Sequence, residues 1–149
     1  MPTVINVYID GASRGNPGSA GTGIVISDED RNILETHKNF LGTATNNVAE
    51  YTALIESVKY LSGLNFSFDS IVFYSDSELM VKQIKGEYKI RNKDLIKLSL
   101  EFWSEIKKLG RNFTIQHLPR GENKLADKLA NEAIDEFSEN ETIRKNNVL

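Results

Sequence analysis

The stretch Thr45-Asn46-Asn47-Val48-Ala49-Glu50-Tyr51 is where the hydrophobic pattern of this 149-residue chain changes from that of strands to that of helices. From here to Val58, apolar residues recur every three or four positions, which is typical of an amphipathic helix. Either Asn46 or Asn47 is expected to cap its start, and Gly63 is expected to end it. Strands before this point, and helices interspersed with further strands after it, indicate an α/β fold.

Three β-rich segments precede this helix, at residues 3–10, 20–27 and 33–41. They are separated by a dense turn pattern at Gly11–Gly18 and by a polar turn at Asp28–Asn32. Short connections of this kind favour an antiparallel meander.

The remaining elements alternate between helix and strand. The pattern predicts a buried strand over Ser70–Asp76, a short helix over Ser77–Ile84, a helix over Asp94–Leu109, a strand over Asn112–Leu118 and a last helix over Asn123–Phe137. The order β-β-β-α-β-α-α-β-α predicts a five-stranded mixed sheet, its first three strands antiparallel, flanked by helices. One domain over residues 1–138 and a polar, frayed C-terminal tail over residues 139–149 are expected.

Composition restricts the chemistry. The chain has no cysteine, which excludes a disulfide framework, a thiolate metal site and a cysteine nucleophile. Its two histidines, His37 and His117, are too far apart in sequence for a local zinc motif. A bound metal would therefore be held by oxygen, which favours Mg2+ or Mn2+.

The net charge of −3 and the pI near 5.5 argue, taken alone, against a nucleic-acid partner. The segment from Lys82 to Lys97 is locally basic, however, and leaves room for a positive face. The N-terminus has no basic region before an apolar run, and no apolar stretch is long enough to span a bilayer, so we expect a soluble, cytoplasmic protein.

Four acidic residues stand at informative positions in the predicted elements. Asp10 is predicted to close the first strand and Asp76 the fourth, Glu50 lies in the first turn of the first long helix, and Asp127 lies one turn into the last helix. Each has an ordinary structural explanation as a turn residue, a helix cap or a solvated charge. Strand ends are also where ligand sites gather in sheets covered by helices.

Together these acids and their surroundings resemble the ribonuclease H family, in its type 1 branch. The matching motifs are Asp10-Gly11 with Gly15-Asn16-Pro17-Gly18, Thr45-Asn46-Asn47-Val48-Ala49-Glu50-Tyr51, Tyr74-Ser75-Asp76-Ser77 and Pro119-Arg120-Gly121-Glu122-Asn123-Lys124-Leu125-Ala126-Asp127. They occur in the family's order and spacing over roughly residues 4 to 135. Four linked motifs are far more specific than any one of them.

The resemblance implies that this is a metal-dependent endonuclease that cuts the RNA strand of RNA–DNA hybrids. It implies that Asp10, Glu50, Asp76 and Asp127 are both catalytic residues and ligands of two Mg2+ ions, which Mn2+ could replace. Asp10 would contact both ions, and the products would carry 5′-phosphate and 3′-hydroxyl ends.

The resemblance also implies substrate contacts. Gly11, Asn16 and Asn47 fall where the family contacts ribose 2′-hydroxyl groups, which distinguish RNA from DNA. Thr45 falls where the family touches a DNA phosphate. The lysines and arginine of residues 82–97 would add salt-sensitive phosphate contacts, or would simply form a solvated surface.

Three positions depart from the family pattern. Glu78 stands where many relatives have a substrate-contacting glutamine. The segment Gly86–Asp94 is too short for the extra basic helix of some bacterial members, which indicates the handle-less subgroup, similar to archaeal-type ribonuclease HI. The loop Pro119–Asn123 lacks the histidine found in some relatives, so Arg120 becomes the candidate for its role, whereas His117 is predicted to face the apolar side of its strand as a structural residue.

Other functions stay open at this point. The same metal chemistry could act on double-stranded RNA or on DNA, or the chain could be a hybrid-binding module without turnover. A small metal-dependent phosphatase of another fold is less favoured, because no phosphate-binding glycine loop is present beyond the first turn. With no exposed apolar stripe apparent in the sequence, we expect a monomer.

Overall fold

The computed structural model describes residues 3–147, which form a five-stranded sheet and its helices. The strands are β1 (Val4–Gly15), β2 (Gly18–Ser27), β3 (Ile33–Ala44), β4 (Ser70–Ser75) and β5 (Asn112–His117). The helices are α1 (Asn46–Ser62), α2 (Glu78–Ile84), α3 (Lys93–Leu109) and α4 (Lys124–Asn147), with a short 3-10 turn at Arg120–Glu122. The predicted α/β class and order of elements are confirmed.

The sheet has the strand order β3-β2-β1-β4-β5. β1 pairs antiparallel with β2, and β2 with β3, whereas β4 is parallel to both β1 and β5. The mixed sheet with three antiparallel strands is therefore as predicted. β5 forms one edge, and the segment between Ile84 and Lys93 contains no helix.

The main core lies between the sheet and the pair of helices α1 and α3. Alternate residues of β1, namely Ile5, Val7 and Ile9, are fully buried on this side because successive strand residues point to opposite faces. Phe73 of β4 meets Phe102 of α3 edge to face, with ring centroids 6.1 Å apart. α4 packs on the opposite face, where Gly21 and Gly23 of β2 have no side chain and let the helix backbone come close.

The first hairpin differs from the prediction. Instead of a loop over residues 11–18, β1 continues to Gly15, which pairs with Gly18, and the turn consists of Asn16 and Pro17. Asp10 therefore lies inside a strand and does not close it. The pairing of β1 with β4, however, stops one residue earlier at Ile9. The glycine-rich pattern suggested a loop, but small residues also fit an extended hairpin.

Two helix ends also differ. α1 is capped by Thr45, whose hydroxyl accepts a hydrogen bond from the Val48 N–H at 3.2 Å, so the predicted asparagine cap is wrong. α4 does not end at Phe137 but continues to Asn147, and its last ten residues are almost entirely exposed. Because this extension buries little apolar surface, its sequence has no periodic hydrophobic pattern from which the helix could be predicted. The domain boundary at residue 138 stays a prediction, and the last two residues of the predicted tail lie outside the described residues.

The surface of α3 also corrects a prediction. Ile96, Leu100 and Trp103 follow one another at helical spacing, and their exposed fractions are 38%, 64% and 45%. An apolar stripe is therefore exposed, and monomeric behaviour stays a prediction. Across residues 3–147, no helix combines the length and the apolar character needed to cross a membrane.

Candidate active site

The site forms where two parallel strands stop pairing. Ile9 and Ser75 are the last paired residues of β1 and β4, so the next residues, Asp10 and Asp76, emerge side by side. Asp10 points to the sheet face opposite the buried Ile9 side chain, because strand residues alternate, and Asp76 follows directly after the end of β4. The sheet alone therefore brings two carboxylates together.

Glu50 reaches this point because Gly11 lets α1 approach β1 closely. A Cβ atom at Gly11 would lie 2.2 Å from the carbonyl carbon of Ala49, a distance that no side chain could occupy. The Gly11 N–H donates to Oε2 of Glu50 at 3.2 Å. This contact fixes one carboxylate oxygen and leaves the other free for a ligand.

Asp127 is placed by an equally close approach on the other face. Gly23 pairs with Asp10, and a Cβ atom at Gly23 would lie 2.0 Å from the carbonyl oxygen of Ala126. Ala126 and Ala130 are buried against β2, as their small size suggested. The first turn of α4, which carries Asp127, is thereby held beside Asp10.

The four acids line one cavity of about 330 Å³. Oxygen atoms of Asp10, Glu50 and Asp76 lie within 4.8 Å of one another, and Asp127 stands outside this tight group at the same cavity. Asp10 is only 4% exposed and Glu50 only 9%. The remaining lining residues are Gly11, Ala12, Ser13, Asn46, Asn47, Ser77, Arg120 and Asn131.

The electrostatics of this cluster are unfavourable without a cation. Burial raises the pKa of Asp10 well above its ordinary range, and the charges of Glu50, Asp76 and Asp127 raise it further. Burial also raises the pKa of Glu50, as does the charge of Asp76. Burial raises the pKa of Asp76 too, although the charge of Arg120 opposes this effect. A buried group of like charges is what a bound divalent cation would neutralise.

The donor set fits a hard cation. Three carboxylates offer oxygen atoms at mutual distances suited to one ion, and a fourth carboxylate stands next to Asp10. A Cys-free chain with carboxylate ligands suits Mg2+ or Mn2+ better than Zn2+.

Only some of the predicted substrate-binding residues line the cavity. Gly11, Asn47 and Arg120 line the cavity. Asn16 lies at the hairpin tip, where its Oδ1 accepts from the Asn46 N–H at 3.2 Å. Two more predicted contacts have other partners, since Thr45 caps α1 and Glu78 pairs with Lys82 at 2.8 Å.

Four polar residues at the cavity were missed from sequence, namely Ser13, Asn46, Ser77 and Asn131. Ser13 donates its N–H to Oδ1 of Asn46 at 3.1 Å, which ties the hairpin to the start of α1. Asn131 lies one turn after Asp127, and that helical spacing was the signal that could have identified it.

The interpretation of His117 as a structural residue on the apolar side of β5 is wrong. His117 is the last residue of β5 and is exposed, because the strand extends beyond the helices that cover Ile115. Its charge lowers the pKa of both Asp76 and Glu78, so it stands near the edge of the site.

Sequence comparisons agree with this geometry. A family model described as reverse transcriptase-like matches residues 8–133. Ribonuclease HI of Halobacterium salinarum is 39% identical over 132 residues, which are 89% of this chain and 65% of that protein. A bifunctional protein of Mycobacterium tuberculosis is 38% identical over 130 residues, 87% of this chain and 35% of that protein. The chain thus spans less than two thirds of the length of these curated relatives.

Solved structures are similar over nearly their whole length. The crystal structure of ribonuclease H1 from Halobacterium salinarum superposes with a TM-score of 0.83 at 38% identity, covering 89% of this chain and 98% of that one. LC11-RNase H1, solved in complex with an RNA/DNA hybrid, gives a TM-score of 0.83 at 40% identity, covering 89% and 97%. The chain therefore belongs to the ribonuclease H family, in its type 1 branch.

Proposed function

We propose that this protein is an endoribonuclease that hydrolyses the RNA strand of RNA–DNA hybrids with two divalent cations, leaving 5′-phosphate and 3′-hydroxyl ends. The observation that carries the proposal is the convergence of Asp10, Glu50, Asp76 and Asp127 on one cavity. The hybrid bound to LC11-RNase H1, 40% identical to this chain, supports the choice of substrate.

Three of the acids form a tight group and the fourth lies beside it, an arrangement that suits a pair of ions. When bound, two divalent cations activate a water molecule and stabilise the leaving oxygen of a phosphodiester. Glu50 and Asp76 stand with Asp10 in the tight group, and Asp127 is the further acid beside Asp10. Asp10 is therefore the residue that would contribute to both sites. Mg2+ is our expectation, with Mn2+ as a substitute.

Selection of RNA would fall to the hairpin and the start of α1. Gly11 and Ala12 line the cavity, as do the exposed Asn46 and Asn47, whose amide groups can both donate and accept. A ribose 2′-hydroxyl needs such a partner. Hydrogen bonds between Ser13 and Asn46 and between Asn46 and Asn16 hold these two segments in register.

Phosphate contacts beyond the cavity would come from the segment between α2 and α3 and its flanks. Lys85, Lys89, Arg91, Lys93 and Lys97 are all exposed. Such contacts weaken as salt rises, so binding should depend on ionic strength.

Cleavage assays with labelled substrates test the proposal. Purified protein is incubated with RNA–DNA hybrid, double-stranded RNA and double-stranded DNA, with Mg2+, Mn2+ or EDTA, and the ends of the products are mapped. We expect cutting of the hybrid RNA that is lost with EDTA and with Asp10→Asn. Asp30→Asn, in the exposed turn between β2 and β3, is the matched control and should retain activity.

Two other outcomes would replace the proposal. Comparable cutting of double-stranded RNA would show a broader substrate range, which Glu78 and the absent basic helix keep open. Binding of the hybrid without any cleavage would indicate a binding module.

A further inference from the structure

One side chain contacts Asp127 directly from the next turn of α4. The Nδ2 group of Asn131 donates to the Asp127 backbone oxygen at 3.0 Å and to its carboxylate Oδ1 at 3.3 Å. Asn131 is half-buried and lines the same cavity as the four acids.

The orientation of the Asn131 amide is set from its other side. Nη2 of Arg14 lies 3.3 Å from Oδ1 of Asn131 and 3.4 Å from its backbone oxygen. A guanidinium only donates and a carboxylate only accepts. The amide oxygen must therefore face Arg14, and the amide nitrogen must face Asp127. Arg14 is itself held by Asp135, with 2.6 Å between Nη1 and Oδ1.

We propose that Asn131 is a positioning residue that holds the carboxylate of Asp127 toward Asp10, and that Arg14 and Asp135 fix the amide of Asn131 for this task. The proposal rests on the proposed function, because it assigns Asn131 to the metal site of that reaction.

Asp127 needs such support more than Asp10 or Glu50. Asp10 and Glu50 are almost fully buried, and Glu50 is also bound by the Gly11 N–H. Asp127 is half-buried and lies outside the tight group of three. A neutral amide donor can occupy one lone pair of the carboxylate and leave the rest for a cation, whereas a lysine or arginine there would compete with the cation's charge. Outer partners of ligating carboxylates commonly change metal affinity by about 10- to 100-fold.

The arrangement also links the substrate hairpin to the metal site. Arg14 belongs to β1 near the hairpin tip, while Asp127, Asn131 and Asp135 lie at successive turns of α4. The alternative is that these contacts merely fasten the hairpin to α4. The Arg14–Asp135 pair is substantially exposed and adds little stability by itself.

Calorimetric titration of the full chain with Mn2+ alone, without nucleic acid, separates the two roles. The binding step that disappears in Asp127→Asn is identified first. In Asn131→Ala we expect that step to weaken by about 10- to 100-fold, with a smaller loss in Arg14→Ala. Asn140→Ala, the same change at an exposed position of α4, is the control and should bind like the unmodified chain.

A double-mutant comparison completes the test. The readout is the Mn2+ binding that remains in Asp127→Asn: if Asn131 acts through Asp127, adding Asn131→Ala leaves this remaining binding unchanged, and a further loss would contradict the proposal. Unchanged Mn2+ binding by Asn131→Ala, with only a lower melting temperature, would overturn the proposal. Should Asn131→Ala fail to fold, Asn131→Ser and Arg14→Lys carry the same comparison. Absence of cleavage by the unmodified chain would refute the proposed function, while the Mn2+ titration would still decide the role of Asn131.

Discussion

Gly23 of β2 pairs with Asp10 of β1, and the missing side chain of Gly23 allows the first turn of α4 to lie beside that acid. The carbonyl oxygen of Ala126 occupies the space that a Cβ atom would need. One glycine therefore determines both the packing of α4 and the distance of Asp127 from the other three acids.

Replacing Gly23 with alanine should displace α4. Because a backbone oxygen would lie 2.0 Å from the new methyl group, the helix must move. We expect a loss of about 1–3 kcal/mol in the free energy of unfolding, measured in urea, and a larger relative loss of hybrid cleavage. Gly63→Ala is the control, since a Cβ there would come no closer than 3.8 Å to Tyr60. Normal stability and activity of Gly23→Ala would contradict this account of the packing.

The metal-free protein should become less stable as pH rises. The pKa of Glu50 is raised to about 8 and that of Asp10 to about 10, in both cases mainly by burial. Between about pH 4, where these groups titrate in the unfolded chain, and those values, the folded chain binds more protons than the unfolded one. The free energy of unfolding should therefore fall, by up to about 1.4 kcal/mol per pH unit for each proton. Urea unfolding in EDTA at pH 6 and pH 9 measures this, and greater stability at pH 9 would refute it.

Divalent cations should stabilise the folded chain through the same carboxylates. At a Mg2+ concentration of 100 times its Kd, the gain is about 2.7 kcal/mol, read as a rise in melting temperature at pH 8. Asp10→Asn should lose most of this gain. In EDTA the same variant should melt above the unmodified chain, because the neutral amide removes the cost of protonating Asp10 on folding, which its pKa of about 10 imposes at pH 8. A variant that melts below the unmodified chain in EDTA would show that the cluster is not under repulsive strain.

The hydrophobic patterns were sufficient to predict the elements and their order, and linked motifs were sufficient to select four acids that line one cavity. Hydrophobic periodicity failed to predict segments that have few large apolar residues. The segment Gly11–Gly15 is strand although its residues are small, and the last ten residues of α4 are helical with little to bury. At the end of β5 a pattern was present but gave the wrong answer. Strand alternation placed His117 on the same side as the buried Ile115, yet His117 is exposed.

The residues around the acids were harder to predict than the acids themselves. Asn131 contacts Asp127 at helical spacing, but its link to Arg14 joins positions 117 residues apart. Thr45 fits a phosphate contact by resemblance, and this stays a prediction; the structure shows that its hydroxyl also accepts the hydrogen bond that caps α1, which leaves its O–H able to donate. The contact between Arg14 and Asn131 depends on which strand and helix meet, and no local pattern contains that information.

Replacing Glu78 with glutamine should strengthen hybrid binding. Glu78 is held ionised, because the hydrogen bond from Lys82 lowers the pKa of its carboxyl group. In Glu78→Gln the negative charge disappears and Lys82 is released for phosphate contact. We expect roughly two- to fivefold tighter binding at low salt, measured by fluorescence anisotropy in the Asp10→Asn background. Glu87→Gln, in the exposed turn after α2, is the control; equal gains in both variants would mean only that overall charge had changed.

The last prediction concerns which residue near β5 assists the reaction. Arg120 lines the cavity, and its charge lowers the pKa of both Glu50 and Asp76. Arg120→Ala should reduce hybrid cleavage by roughly 100-fold, with Arg120→Lys intermediate because lysine lacks the planar fork. Without the guanidinium, protons compete more strongly with Mg2+ for both carboxyl groups, so at limiting Mg2+ the defect should be larger at pH 6.5 than at pH 9. Arg144→Ala, on the exposed end of α4, is the control.

His117→Ala should reduce hybrid cleavage much less than Arg120→Ala, since His117 affects Asp76 from outside the lining of the cavity. A greater loss in His117→Ala than in Arg120→Ala would transfer the role to the histidine.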